Sequence, residues 1–261
     1  MATALITGAS SGLGAEYARQ LAPAYDLILV ARNEARMQSL AQSFSSGRKV
    51  KIIAADLTKA VDVERVELAV AEATDLQLLV NNAGLGTVGK FSVLDAVTEK
   101  NQVLLNVNAL VALSHAALGN FSRNRPAQAA LINVASVAGF QPTPFSAVYA
   151  ASKAFVKTFS EGIAEEVRGD GVIVQCLCPG LTRTEFQERG HIDVSSLPDF
   201  AWMSAEEVVR ISLANLSPGS GVVLVPGLLN QAMALASSAV PSALNARLMA
   251  GVMKSALNVR A

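Results

Sequence analysis

The stretch Ala4-Leu-Ile-Thr7-Gly8-Ala-Ser10-Ser11-Gly12-Leu13-Gly14 decides the architecture. An apolar strand pattern runs straight into a turn with three glycines, and an amphipathic helical pattern over 12–21 follows. Missing Cβ atoms allow a tight turn and a close backbone approach to phosphate. The helix that opens there presents free N–H groups and a positive dipole end. Gly8, Ser10, Ser11, Gly12, Leu13 and Gly14 are therefore the candidate cradle for a pyrophosphate.

Outward from that turn, strand-like runs alternate with segments of helical length. The strands are expected at 4–7, 27–30, 50–54, 78–81, 130–134, 172–177 and 222–225, and the principal helices at 12–21, 34–44, 61–74, 99–121, 149–167 and 205–216. Continuous apolar strands separated by helices predict an α/β chain: one Rossmann-like, doubly wound, seven-stranded parallel sheet with helices on both faces, forming a single domain over 1–261. In such a sheet the ligand crevice lies outside the carboxyl ends of the strands. Polar or turn-forming residues follow those ends in this chain: Arg32, Asp56, Asn82-Ala83-Gly84, Ser136 and Pro179-Gly180.

Composition narrows the function. Of 261 residues, 51% are hydrophobic and 16% charged, and 21 Lys plus Arg balance 21 Asp plus Glu. A formal charge of zero supplies no global field for nucleic acid or for an anionic membrane. Cys176 and Cys178 alternate along a strand and, with only two histidines in the chain, read as buried thiols in a reducing compartment, with no metal expected. The N-terminus enters an apolar strand at once, so no secretory leader is expected and the location is read as cytoplasmic; the Asn120 and Asn215 triplets read as chance glycosylation matches. The segment 211–246 lacks ionisable residues, but prolines and glycines break it into pieces too short to span a bilayer.

The reactive chemistry is carried by Ser136, Tyr149 and Lys153. Tyr149 and Lys153 are four residues apart in a helical pattern and so share a face. A phenol with a pKa of about 10 is a poor base, and a nearby ammonium favours the phenolate, which would bring proton transfer closer to neutral pH. Ser136 follows the strand 130–134, where its hydroxyl can polarise a substrate oxygen. At the end of the second strand no acidic residue is present to grip a ribose 2′-hydroxyl. Arg32 stands there instead, which favours NADP(H) over NAD(H) through charge-assisted bonds to a 2′-phosphate. Asp56 is read either as an acceptor for an adenine amino group or as a turn cap before Leu57.

Taken together these motifs resemble the classical short-chain dehydrogenase/reductase family over residues 1 to about 230. The resemblance rests on the glycine turn, on Asn81-Asn82-Ala83-Gly84, on Tyr149-Ala-Ala-Ser-Lys153, and on Pro179-Gly180 with Thr182 and Thr184. It implies that Leu57, Asn82, Ala83, Gly84, Pro179, Gly180, Thr182 and Thr184 join the cofactor site and that Lys153 also bonds the nicotinamide ribose. It further implies a tetrad in which Asn108, preferred over Asn106, holds a helix irregularity and a water that relays protons to Lys153. The implied reaction is reduction of a ketone or aldehyde, or the reverse oxidation of a secondary alcohol, on an apolar or acyl-type substrate. A non-catalytic NADPH-binding regulator and an epimerase or dehydratase on the same fold are the alternatives.

At the substrate end, Ala138, Phe140, Phe145 and Val148 are expected to line the carbonyl site, and 185–203 resembles a mobile lid. The apolar extension 228–261 is expected to cover a long apolar substrate or to form a subunit contact, in preference to lying on a membrane surface. Family resemblance implies a homodimer or homotetramer.

Overall fold

The computed structural model describes residues 2–44, 47–190 and 198–256. In chain order the first half comprises β1 (Thr3–Thr7), α1 (Gly12–Leu21), β2 (Asp26–Ala31), α2 (Glu34–Gln42), β3 (Val50–Ala54), α3 (Ala60–Glu72) and β4 (Leu76–Asn81). A long helix then runs through α4 (Ala96–Val103), a π-helical segment (Leu104–Ala109) and α5 (Leu110–Asn124) into β5 (Ala129–Val134). After a 3-10 turn (Val137–Phe140) come α6 (Ala147–Glu166), β6 (Val172–Leu177), β7 (Thr182–Arg183) and α7 (Phe186–Arg189). The chain continues through β8 (Met203–Ser204), α8 (Ala205–Ala214), β9 (Val223–Leu224), α9 (Leu228–Ala239) and α10 (Ser242–Ala256).

Seven strands form one parallel sheet in the order β3-β2-β1-β4-β5-β6-β9, and β7 pairs with β8 in a separate two-stranded parallel ribbon. The central strands β1 and β5 are buried along their whole length, as strands covered on both faces should be. One face carries Ala4, Ile6, Leu27, Leu29, Leu78 and Ile132 against α1, α2 and α8; the other carries Leu5, Val30, Leu79 and Leu131 against α3 and α5. A buried polar link ties the first layer down: the Tyr17 hydroxyl bonds Ser212 Oγ at 2.6 Å, and Gln175 donates to the Ser212 carbonyl at 3.0 Å.

Local chemistry places the helix starts. Asn33, Asp95 and Ser204 accept the backbone N–H three residues on, at 3.0, 2.7 and 3.1 Å, which caps α2, α4 and α8. The helix 96–124 is long and apolar enough to cross a membrane by length and composition. Leu113, Ala117 and Phe121 nevertheless lie in the core, so this is a sheet-covering helix. Asn120, one of the two glycosylation-like asparagines, is fully buried and donates to the Val70 and Ala73 carbonyls, both at 2.8 Å.

The strand order reverses between β1 and β4, and the carboxyl ends of β1, β2, β4, β5 and β6 open onto one cleft. That is where an open α/β sheet gathers its functional loops.

Candidate active site

The cleft has a volume of about 1070 Å³ and runs from Arg32 and Asp56 at one end to Ser136, Tyr149 and Phe186 at the other. Its nucleotide end is made by backbone closeness. Gly8 and Gly12 adopt φ of +68° and +54°, the left-handed region that disfavours other residues. A Cβ on Gly8 would lie 2.7 Å from Asn82 Nδ2, and one on Gly14 would lie 2.3 Å from the Gly8 carbonyl oxygen. The Asn82 turn clamps this loop: Asn82 Nδ2 donates to the Thr7 carbonyl at 2.8 Å, and the Asn82 and Ala83 amides both donate to Thr7 Oγ1 at 3.0 Å.

Every residue expected to hold the cofactor lines the cleft except Gly14, which sits behind the turn and lets Gly8 and Asn82 close on each other. Ser10, Ser11 and Leu13 lie with Gly12 at the opening of α1, so the cradle and the helix N-terminus meet as phosphate binding requires. From the far side, Thr184 packs 3.1 Å from where a Gly12 Cβ would be, and Thr182 Oγ1 donates to the Gly180 carbonyl at 3.1 Å. Glycine-lined, amide-rich and bounded by cations, these surroundings fit a dinucleotide.

Arg32 is exposed at the end of β2 and faces the cleft. Asp56 lines the cleft and also caps the turn that follows, its Oδ1 accepting the Thr58 amide and hydroxyl at 3.1 and 2.8 Å. Burial pushes its carboxyl up, but the Thr58 bonds with the Arg32 and Lys59 charges outweigh that, and its pKa lies below the ordinary value. Two residues missed by sequence reasoning join here. Arg36 reaches across the cleft to Glu185 at 2.5 Å, a pair that no local motif signals because the partners are 149 positions apart.

At the reacting end, α6 carries Tyr149 and Lys153 on one face. Lys153 is only 4% exposed, donates to the Val134 carbonyl at 2.8 Å, and holds Nζ 5.7 Å from the Tyr149 ring centroid. Burial draws the Lys153 pKa from 10.5 down to about 8, with Cys176 and Cys178 opposing that shift. Burial likewise raises Tyr149 to about 12, an interaction with the Ser136 hydroxyl offsetting part of the rise. The expectation that the ammonium brings the phenol toward neutral pH is therefore corrected. With Lys153 engaged by the Val134 carbonyl, desolvation is the dominant influence on the phenol. Ser136 caps the 3-10 turn, its Oγ accepting the Ala138 amide at 3.1 Å, which holds the hydroxyl at the mouth of β5.

The fourth polar residue is Asn106, and the placement expected for Asn108 is corrected. Asn108 is exposed, whereas Asn106 is buried beside Gly84, where a Cβ on that glycine would lie 3.4 Å from Asn106 Oδ1 and 3.5 Å from Lys153 Nζ. Asn106 Oδ1 accepts the Leu85 amide at 2.9 Å, and its Nδ2 donates to the Leu85 carbonyl at 2.8 Å and to Ser152 Oγ at 3.0 Å. The expected helix irregularity is present as the π-helical segment that holds both asparagines. Residues two apart on a helix face nearly opposite ways, so only one of them can meet the lysine.

The apolar lining of the cleft does not include the residues expected at the carbonyl site. Ala138, Phe140, Phe145 and Val148 do not line this cleft; Leu85 and Phe186 do. Phe140 packs against the buried cluster that holds Cys176 and Cys178, and Lys157 stands 5.4 Å from its ring. Phe145 takes φ of +67°, accepts the Gly89 amide at 2.8 Å and faces Lys254. Phe186 lies against the Tyr149 ring with centroids 5.6 Å apart. Of the expected lid, 185–190 and 198–203 are described, and 191–197, including His191, lies outside the described residues; so does 257–261 of the C-terminal extension.

A doubly wound sheet with a glycine cradle at one end of its crevice and a serine, a tyrosine and a lysine at the other defines a dinucleotide-binding oxidoreductase. Comparison with known proteins makes the class specific. The family model for short chain dehydrogenase matches residues 2–193. Sulfoacetaldehyde reductase 2 of Chromohalobacter salexigens is 37% identical over 185 residues, 70% of this chain and 73% of that protein. Among solved structures, a short-chain dehydrogenase from Sphingobium yanoikuyae in complex with NADPH is 35% identical, with a TM-score of 0.82 covering 93% of this chain and 97% of that one. The bulky-bulky ketone specific alcohol dehydrogenase from Comamonas testosteroni is 33% identical, with a TM-score of 0.78 covering 93% and 96%. The chain belongs to the short-chain dehydrogenase/reductase family and is an oxidoreductase acting on alcohol or carbonyl groups.

Proposed function

We propose that this protein reduces an apolar ketone or aldehyde at the expense of NADPH. The observation that carries the reading is the convergence of the Ser136 hydroxyl, the Tyr149 phenol and the buried Lys153 amine in one cleft. Ser136 polarises the carbonyl oxygen, and Tyr149 delivers its proton to that oxygen as negative charge develops there. Lys153, below its pKa of about 8, supplies a positive charge beside the phenol and favours that transfer. Asn106 braces the Leu85 segment against α6 through Ser152, which positions Lys153 and Gly84.

When bound, the nicotinamide supplies hydride to the carbonyl carbon. Gly8, Ser10, Ser11 and Gly12 would hold the pyrophosphate, Asp56 and Leu57 would meet the adenine, and Arg32 would pair with a 2′-phosphate. The absence of an acidic residue at the end of β2 supports NADPH, as does the NADPH bound by the Sphingobium relative. Apolar character beside Tyr149 comes from Leu85 and Phe186. Relatives named for sulfoacetaldehyde and for bulky-bulky ketones share this frame, so the wall selects the substrate. Val103 and Leu104 on the long helix and Phe155 on α6 expose apolar side chains that suit pairing with a second copy in a homodimer or homotetramer. The free, buried thiols of Cys176 and Cys178 agree with a cytoplasmic setting.

A panel of ketones, aldehydes and secondary alcohols followed by NADPH absorbance tests the reading, with turnover expected on apolar carbonyls. A chain that binds NADPH and turns over none of them would be a regulator. Arg32→Asp should move the NADPH/NADH ratio of kcat/KM toward NADH, and an unchanged ratio would remove the 2′-phosphate role.

A further inference from the structure

We propose that the outer face of the C-terminal helix pair is a docking surface for an anionic lipid bilayer, which holds the mouth of the cleft at the membrane. On α10, Leu244, Leu248 and Val252 follow one another at intervals of four along the outward side, 50%, 56% and 53% exposed. Met253 is buried on the inward side of that helix, and Asn245, beside the stripe, is buried where it donates to the Ser237 carbonyl at 3.0 Å. Arg247 and Lys254 are exposed along one flank of the apolar stripe. The neighbouring α9 buries only Asn230 and Ala234 and adds Leu228 at 84% exposure and Leu235 at 74%.

Charge selects the occupant. The chain as a whole is neutral, yet no Asp or Glu occurs after Glu207, while Arg210, Arg247, Lys254 and Arg260 do. A second copy docked through the same face would set cations against cations with no carboxylate from α9 or α10 to pair them. Anionic headgroups complement that charge, and the stripe of leucines can enter the boundary between headgroups and acyl chains.

The helix pair is anchored to the loop between Ser136 and Tyr149. Ser237 Oγ bonds Gln141 Oε1, Gln141 Nε2 meets Met249 Sδ at 3.1 Å, and Lys254 Nζ lies 5.8 Å from the Phe145 ring. Asn230 at the start of α9 packs against Gly180 in the cleft wall. Docking therefore brings the serine-to-tyrosine loop and the cleft to the bilayer. Resting on the proposed carbonyl reduction, this deepens it: the substrate is a lipophilic carbonyl compound that partitions into membrane.

The test is cosedimentation of the full-length protein with large vesicles, either phosphatidylcholine alone or equal parts phosphatidylcholine and phosphatidylglycerol. Binding is expected on the anionic vesicles, weakened by added salt, and much weaker on phosphatidylcholine. Leu248→Glu and Arg247→Glu should each lower the partition coefficient by at least about fivefold. Melting temperature and reduction of a water-soluble ketone should stay unchanged in both variants. Wild-type protein that stays in the supernatant with anionic vesicles, or that binds both compositions equally, overturns the proposal. So does a Leu248→Glu variant that breaks an oligomer in vesicle-free buffer, because the face would then join two copies. Vesicle binding without turnover on any carbonyl leaves the docking surface standing and removes the catalytic reading alone.

Discussion

At the nucleotide end of the cleft the chain gives up side chains, whereas at the reacting end it buries them. An added methyl at Gly8 or Gly14 collides with a neighbour and Gly12 takes a left-handed φ of +54°, so the site there is shaped by what is missing. Lys153, Asn106 and Ser152 are polar groups taken out of water and paired with one another or with backbone, so chemistry there is set by desolvation. The first region fails by collision and the second by loss of a proton or a hydrogen bond. Changes at the two ends should therefore separate cofactor affinity from turnover.

The largest effect expected is that of Tyr149→Phe, which removes the proton donor and leaves the ring against Phe186. We expect kcat to fall by about a thousandfold with NADPH affinity preserved, measured by steady-state kinetics beside a binding titration. Retained turnover would place the acid elsewhere. Gly14→Ala attacks the other end, since its Cβ would lie 2.3 Å from the Gly8 oxygen and 2.5 Å from Asn82 Nδ2. NADPH affinity should weaken about ten- to a hundredfold by the same titration, and an unchanged Kd would mean the turn can shift at no cost.

Asn106→Ala should lower kcat about tenfold, while Asn108→Ala stays within about twofold; equal effects would contradict the assignment to the buried asparagine. Reductive kcat/KM should hold steady through neutral pH and decline as pH rises through about 8, where Lys153 loses its proton. Stability moves the other way. Below pH 8 the lysine is charged both folded and unfolded, and the full cost of burying it is present. Between about 8 and 10.5 only the unfolded chain keeps the proton, so that cost fades as pH rises. An activity profile that tracked the melting profile would separate Lys153 from catalysis. The smallest effect belongs to Gly162 in α6, which has nothing within 4 Å of a Cβ position. Gly162→Ala should stabilise by about 0.5–1 kcal/mol in denaturant unfolding, and a destabilised variant would show that open space does not separate a spare glycine from those of the cradle.

Much of this was readable along the chain because it depends on neighbours in sequence. Gly12–Leu21 is helical over the residues its pattern marks, and all seven expected strands occur within the observed sheet or at its edge. Strand periodicity, glycine spacing and the four-residue offset between Tyr149 and Lys153 are local signals, and local geometry converts each directly into a face or a turn. The choice between Asn106 and Asn108 was not readable, because a π-helical segment shifts the phase of the helix between them. Nor were Phe186 against Tyr149 and Glu185 against Arg36, which only the return of the chain after β6 brings together.

By itself the sequence determined the layered sheet, the phosphate cradle and the set of reactive groups, since each follows from short-range stereochemistry of the backbone. Tertiary structure alone decided which asparagine meets the lysine and which apolar residues wall the cleft. It also decided the direction of the Tyr149 shift, because burial is a property of everything packed around a group, and an ammonium engaged by the Val134 carbonyl does not outweigh it.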